Sequence, residues 1–123
     1  MADMTTTAEA SRDATDWHTA KGADGAVVAD AEETARFMVA LMKERFFGPM
    51  TLARMKYGGF WTGGHTLGCG ADAYGHAGAG AGFKTESLVS GDGQTVAVLL
   101  LNGHGDRTDA AADKAIAELF CSA

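Results

Sequence analysis

The side chains able to do chemistry are few, and they cluster late in the chain. Histidines stand at His18, His65, His76 and His104, cysteines at Cys69 and Cys121, and serines at Ser11, Ser87, Ser90 and Ser122. A serine nucleophile needs a base within hydrogen-bond reach. No serine here is followed three residues later by lysine, the one-turn spacing that sets an amine beside the hydroxyl, and none sits in a Gly-x-Ser-x-Gly elbow. His65, Cys69 and His76, with His104 the nearest further histidine, form no Cys-x-x-Cys or His-x-x-x-His pair, so no metal is expected. The glycine-rich run from Gly75 to Thr85 suggests a phosphate loop. It fails on spacing, because Phe83 separates Gly82 from Lys84, and it lacks the Gly-x-Gly-x-x-Gly pattern of a dinucleotide site. No cofactor is therefore expected. Cys69 and Cys121 read either as two unrelated buried thiols or as one bridge across a long loop, and composition does not choose between these.

These residues must be positioned by an ordinary globular framework. The chain has 123 residues, 46% of them hydrophobic and 21% charged, enough for one compact domain. Fourteen of the 17 glycines lie between Tyr57 and Asp106 without a Gly-x-y period, the mark of tight turns or close backbone approaches rather than of a linker. Residues 1–23 are small, polar and aperiodic, which predicts an irregular arm with Trp17 as its packing anchor. Residues 24–123 form the folded unit.

Asp30 and Glu33 have the spacing of a capping box and predict a helix start. Phe37, Met38, Leu41 and Met42 follow on one face, and Gly48-Pro49 is expected to end that helix. Leu52 to Met55 reads as one further helical turn. Short strands are expected at Gly58–Gly63, Ala71–His76 and Phe83–Ser90, with Gly91-Asp92-Gly93 as a hairpin turn. Thr95 to Leu101 is apolar on both faces and predicts a strand buried on both sides. Asp106 or Thr108 is placed to cap a last helix with an apolar stripe of Ala112, Ile116, Leu119 and Phe120. The fold class is α+β: an antiparallel sheet of three or more strands packed against an N-terminal and a C-terminal helix.

Charge and hydropathy exclude several partners. The net charge is −6, with −2 accumulated up to Lys56 and −4 beyond it. No cluster of Lys and Arg is present to neutralise a phosphate backbone, so nucleic acid is not an expected partner. The longest aliphatic run, Val96 to Leu101, is far short of a membrane span. Met1-Ala2-Asp3-Met4-Thr5 has neither a basic start nor an apolar stretch, so no signal peptide is visible.

From Cys69 to Leu101 the order of residues is distinctive. Cys69-Gly70, Tyr74-Gly75-His76-x-Gly78, Gly82-Phe83, Asp92-Gly93, and Val96 to Leu101 followed by Asn102 resemble the C-terminal end of the serine β-lactamase-like superfamily. The branch most similar is that of the secreted D-alanyl-D-alanine carboxypeptidases, which are penicillin-binding and related to class C β-lactamases. Phe120-Cys121 resembles the end of that branch's last helix, and Gly25 to Asp30, Phe37 and Leu41 to Met55 resemble the helix before its sheet. The resemblance spans roughly residues 24–121 and implies an incomplete β-lactamase/transpeptidase-like fold.

The resemblance implies roles for named residues. His76, Ala77 and Gly78 match the family's Lys/His-Thr/Ser-Gly triplet on the strand edging the cleft. His76 would supply a hydrogen bond and positive potential beside the nucleophile and its base. Gly78 would let substrate lie close against the strand. The backbone N–H of Ala79 would be one of two oxyanion-hole donors. Cys69 and Cys121 match positions bridged in the carboxypeptidase branch, which implies a disulfide and an extracytoplasmic location.

Two departures qualify this. Tyr57 is followed by Gly-Gly and Tyr74 by Gly-His, so the family's Tyr-x-Asn/Ser motif is absent, as is Ser-x-x-Lys. Those motifs belong to an N-terminal portion, which would also carry any export signal. Ala77 and Ala79 replace threonines that in carboxypeptidases bind the substrate's terminal carboxylate, so a peptide, β-lactam or ester substrate is equally compatible. The expectation is a C-terminal portion of a serine hydrolase, silent by itself, with a partner carrying Ser-x-x-Lys. In the family the Thr95–Leu101 strand pairs with one this chain lacks, so its edge invites self-association. The rival expectation is a non-catalytic remnant or binding module that keeps the sheet.

Overall fold

The computed structural model describes residues 25, 27–57, 65–66, 68–80 and 82–123. The arm over 1–23 with its Trp17 anchor and the strand expected at Gly58–Gly63 lie outside the described residues. Among the described residues the chain forms helix α1 (Ala31–Met42), helix α2 (Pro49–Tyr57), strands β1 (His65–Thr66), β2 (Asp72–Gly80), β3 (Phe83–Ser90) and β4 (Val96–Leu101), and helix α3 (Asp106–Ser122). The strands form one antiparallel sheet in the order β1-β2-β3-β4, to which β1 contributes only two residues.

The start of α1 is as its sequence dictates. The Glu33 N–H donates to Asp30 Oδ1 at 2.8 Å and the Asp30 N–H to Glu33 Oε2 at 2.9 Å, so two otherwise orphaned donors are satisfied reciprocally. Its end corrects the expectation at Gly48-Pro49. The helix closes at Met42, where the Arg45 N–H donates to the Ala40 carbonyl at 3.0 Å and the Glu44 N–H to the Leu41 carbonyl at 3.2 Å. That pairing requires a left-handed residue just past the helix, and Glu44 takes it with φ 59°. Pro49 instead opens α2, where its missing N–H costs nothing, and Leu52 N–H reaches back to the Gly48 carbonyl at 3.1 Å. α2 is longer than the single turn expected.

β2 runs on to Gly80, beyond the expected His76, and pairs with β3 along its length from Ala73↔Ser90 to Gly80↔Phe83. β3 pairs with β4 from Val89↔Val96 to Lys84↔Leu101. The β3–β4 turn is held by side chains: the Ser90 hydroxyl donates to Asp92 Oδ1 at 2.6 Å and accepts from the Thr95 N–H at 2.9 Å. The Gln94 N–H adds a bond to Asp92 at 3.0 Å.

Alternation assigns the two sheet faces. Tyr74 and Val89 stand opposite each other and join Met38, Leu41 and Met42 of α1 and Leu52 of α2 in the main core, with Met55 and Val96 packed against it. The other face carries Ala73, Glu86 and Lys84, all buried. Lys84 lies within electrostatic reach of Asp109 and Asp113 of α3, whose buried stripe is Thr108, Ala112, Ile116 and Phe120. The sheet is thus covered by α1 and α2 on one side and by α3 on the other.

Four further expectations are corrected. Phe37 is 52% exposed, stacked on Phe46 at 5.4 Å between ring centres instead of entering the core. Leu119 is 49% exposed, because the stripe of α3 follows a strict four-residue step that leaves it to the side. Gly105, not Asp106 or Thr108, is the N-cap of α3, and it makes no side-chain bond. β4 is not buried on both faces: no residue in it is fully buried and Leu100 is 41% exposed, because β4 is an edge strand among the described residues.

Candidate functional site

The residues singled out by sequence lie on β2 and on the disulfide that anchors its approach. Cys69 and Cys121 are bonded, with Cα atoms 6.0 Å apart at a sequence separation of 52. The bond ties the turn leading into β2 to the last turn of α3. Both half-cystines are exposed. A bonded pair of this kind persists in oxidising compartments and is rare where thiols are kept reduced. It also removes Cys69 from any ligand set, and among the described residues no cluster of His, Cys, Asp and Glu could hold a metal ion.

The hydrogen-bonding direction of each strand follows from one contact. The Ser90 N–H donates to the Thr95 carbonyl at 2.8 Å, so this pair exchanges ladder bonds between β3 and β4. Alternation then points Ser87, Thr85 and Phe83 of β3 toward β2, and their opposite numbers His76, Gly78 and Gly80 toward β3. The backbone N–H and C=O groups of Ala77 and Ala79 face the other way, to the outer edge of β2. Among the described residues β1 pairs with that edge at Asp72 and Ala73. Beyond Ala73 no described strand pairs with it.

Side chains divide differently. His76 and Gly78 lie on the face of α1, near its uncovered end, and both are exposed. Ala77 and Ala79 lie on the face of α3. His76 stands directly across from Ser87, whose hydroxyl donates to the His76 carbonyl at 3.2 Å. Gly78 stands across from Thr85, whose hydroxyl donates to the Gly78 carbonyl at 3.4 Å. A Cβ on Gly78 would lie 2.8 Å from that hydroxyl oxygen, and one on Gly75 would lie 1.8 Å from the Ser87 carbonyl oxygen. The Ser87 backbone thus requires glycine at Gly75, whereas at Gly78 the close contact is with the Thr85 side chain alone.

Ser87 and Thr85 were not legible as neighbours of the His-x-Gly triplet, because their pairing depends on the length of the Gly80–Gly82 turn. Ser87 has no base at its hydroxyl, since its partner is a carbonyl oxygen. Ser90 is committed to the turn, and Ser122 donates to the Leu119 carbonyl at 3.0 Å. Ser11 lies outside the described residues.

Two polar clusters flank the strand. Lys84 Nζ is 2.8 Å from Glu86 Oε1, both nearly buried beneath α3, and this contact raises the lysine above its ordinary pKa against the opposing effect of burial. At the other end of the sheet the Tyr57 and Tyr74 hydroxyls are 3.2 Å apart, and Lys56 Nζ lies 5.0 Å from the centre of the Tyr74 ring. Lys56 also donates to the Gly91 carbonyl at 3.2 Å. His104 Nδ1 meets Asp109 Oδ1 at 3.0 Å on the surface at the start of α3, which holds the Asp109 carboxyl below its usual range. No helix of the described residues is long and apolar enough to cross a membrane.

No protein-family model matches this chain, and no curated protein or solved structure shows significant similarity to it.

Proposed function

We propose that the chain is the C-terminal portion of a serine hydrolase of the β-lactamase and D-alanyl-D-alanine carboxypeptidase type, in which β2 is the substrate-binding strand. The observation that carries this reading is the placement of the His-x-Gly triplet: His76 and Gly78 are exposed, and the Ala77 and Ala79 backbone groups face away from β3. An extended acyl donor, whether peptide, β-lactam or ester, would lie antiparallel to this edge and exchange backbone hydrogen bonds with Ala77. The outward N–H of Ala79 would stabilise the oxyanion as the scissile carbonyl becomes tetrahedral. His76 would add a hydrogen bond and positive potential beside the attacking group.

The remaining chemistry requires a Ser-x-x-Lys portion from another polypeptide. Its serine oxygen would bond to the carbonyl carbon while a base removes the hydroxyl proton. Collapse of the intermediate would expel the amine or alcohol, which takes up that proton, and leave an acyl-enzyme for water to hydrolyse. Ser87, Ser90 and Ser122 all hold structural hydrogen bonds, so none of the described serines should take a covalent label.

The test is labelling by a fluorescent penicillin and by a fluorophosphonate. The full chain alone should stay unlabelled, with an intact mass that shows the disulfide. A mixture with a candidate Ser-x-x-Lys polypeptide should form a stoichiometric acyl-enzyme on that partner, slowed at least tenfold by His76→Ala. Absence of an adduct in every mixture would leave the second reading, a binding module that keeps the sheet. The committed state of the three described serines already favours that reading for the isolated chain.

A further inference from the structure

β4 ends the sheet among the described residues, and its own sequence and register carry none of the devices that ordinarily protect an edge. Residues Gly93 to Gly103 contain no charge and no proline. The β3–β4 register runs unbroken from Val89↔Val96 to Lys84↔Leu101, so no bulge turns the edge aside. The strand is aliphatic throughout and only half covered by α1 and α3. Natural sheets blunt such edges with Lys, Pro, bulges or inward charges.

The direction of its backbone groups is fixed. Because the Ser90 N–H donates to the Thr95 carbonyl, Thr95, Ala97, Leu99 and Leu101 point toward β3. The N–H and C=O groups of Val96, Val98 and Leu100 point away from the sheet.

We infer that this edge pairs with β4 of a second copy of the chain, antiparallel and centred on Val98, to give one sheet continuous through the dimer. Three observations select this occupant and register. First, the chain carries a net charge of −6, and the neutral stretch around β4 is where two copies can meet without opposing like charges. Second, a twofold axis perpendicular to the sheet keeps the α1 faces of both copies on the same side. A residue must then stand opposite one from its own face, which only registers centred on a residue allow. Third, centring on Val98 sets Val98 against Val98 and Val96 against Leu100, so each outward-pointing residue exchanges both hydrogen bonds with another. Centring on Leu99 would leave Val96 opposite Asn102, beyond the end of the strand. The dimer uses the one β4 edge of each copy and is therefore closed. The hydrolase reading would give this same edge to a strand of the Ser-x-x-Lys portion, so the dimer is the state of the chain by itself.

The experiment is the solution mass of the full chain by sedimentation equilibrium. The expected mass is twice the 12.7 kDa of the single chain. Val98→Pro removes an N–H that points away from β3, so the internal ladder survives while the central pair of bonds is lost. Val98→Lys places two like charges face to face, and Val98→Glu does the same. Each variant should halve the mass and retain the near-ultraviolet spectrum of the folded chain. An equimolar mixture of the Lys and Glu variants should return to the dimer mass, a rescue specific to the Val98-centred register. The inference is overturned by a wild-type chain that is monomeric at the highest attainable concentration, as when a strand of another polypeptide is the true occupant. It is equally overturned by open-ended oligomers, by a dimer that survives Val98→Pro and Val98→Lys, or by a Lys/Glu mixture that stays monomeric.

Discussion

The Tyr57 hydroxyl lies 3.2 Å from the Tyr74 hydroxyl, with the two rings edge to face, so the last residue of α2 is joined to the strand that carries His76. That contact, together with burial, holds the Tyr74 phenol in its neutral form and pushes its pKa up to about 12. An acid whose pKa is raised on folding stabilises the fold below its unfolded value. The contribution is lost as pH climbs from about 10 toward 12. In an absorbance titration Tyr74 should ionise near the top of that window, together with loss of structure. Tyr57→Phe should move its ionisation down, and an unchanged titration curve would show that the hydroxyl pair does not control it.

Glu44 occupies the left-handed position that closes α1, with φ 59°. A side chain there is strained by about 1 kcal/mol relative to glycine. Glu44→Gly should therefore raise stability by about 0.5–1 kcal/mol and the melting temperature by several degrees. Thermal unfolding followed by circular dichroism decides this, and a fall in melting temperature would mean that Glu44 makes contacts worth more than its strain.

The Cys69–Cys121 bond closes a loop of 52 residues around β2, β3, β4 and α3. Constraining the unfolded chain over such a loop stabilises the fold by about 4 kcal/mol in the chain-entropy model. Because both half-cystines are exposed, mild reduction should reach them without prior unfolding. Denaturant unfolding with and without reductant should show a lower midpoint in the reduced chain, and Cys69→Ser should reproduce that midpoint. Equal midpoints would show that the bond constrains nothing the fold does not already hold.

What was legible in the sequence was set by local chemistry. The Asp30–Glu33 cap, the Phe83–Ser90 strand and the turn around Asp92 each depend on residues within a few positions, and each formed as expected. The end of α1 was not legible, because a glutamate holds the position where glycine would have announced it. The burial of β4 was misjudged for a different reason: its aliphatic pattern states what the strand would bury, not whether a neighbour is present to bury it. The His76–Gly78 triplet was visible, but its cross-strand partners Ser87 and Thr85 were not, since register is a property of two strands and the turn between them. Nothing in the local sequence around Lys84 and Glu86 announces their burial, which comes from α3 lying over them.

That covered pair gives the sharpest test of how the second sheet face is built. Lys84 Nζ and Glu86 Oε1 are 2.8 Å apart with side chains only 11% and 10% exposed. Removing one partner strands the other without its counter-charge beneath α3, so Lys84→Met should destabilise by about 3 kcal/mol. Replacing both by apolar residues removes the desolvation cost together with the attraction. Lys84→Met with Glu86→Leu should therefore recover most of that loss. The lysine's pKa is raised on folding, so the pair's contribution is complete below the ordinary lysine value and disappears as pH rises past the folded one. Urea unfolding of wild type, Lys84→Met, Glu86→Leu and the double variant at neutral and alkaline pH measures the cycle. If the single variants are as stable as wild type, α3 does not seal the pair from water, and the arrangement of α3 over Lys84 and Glu86 is wrong.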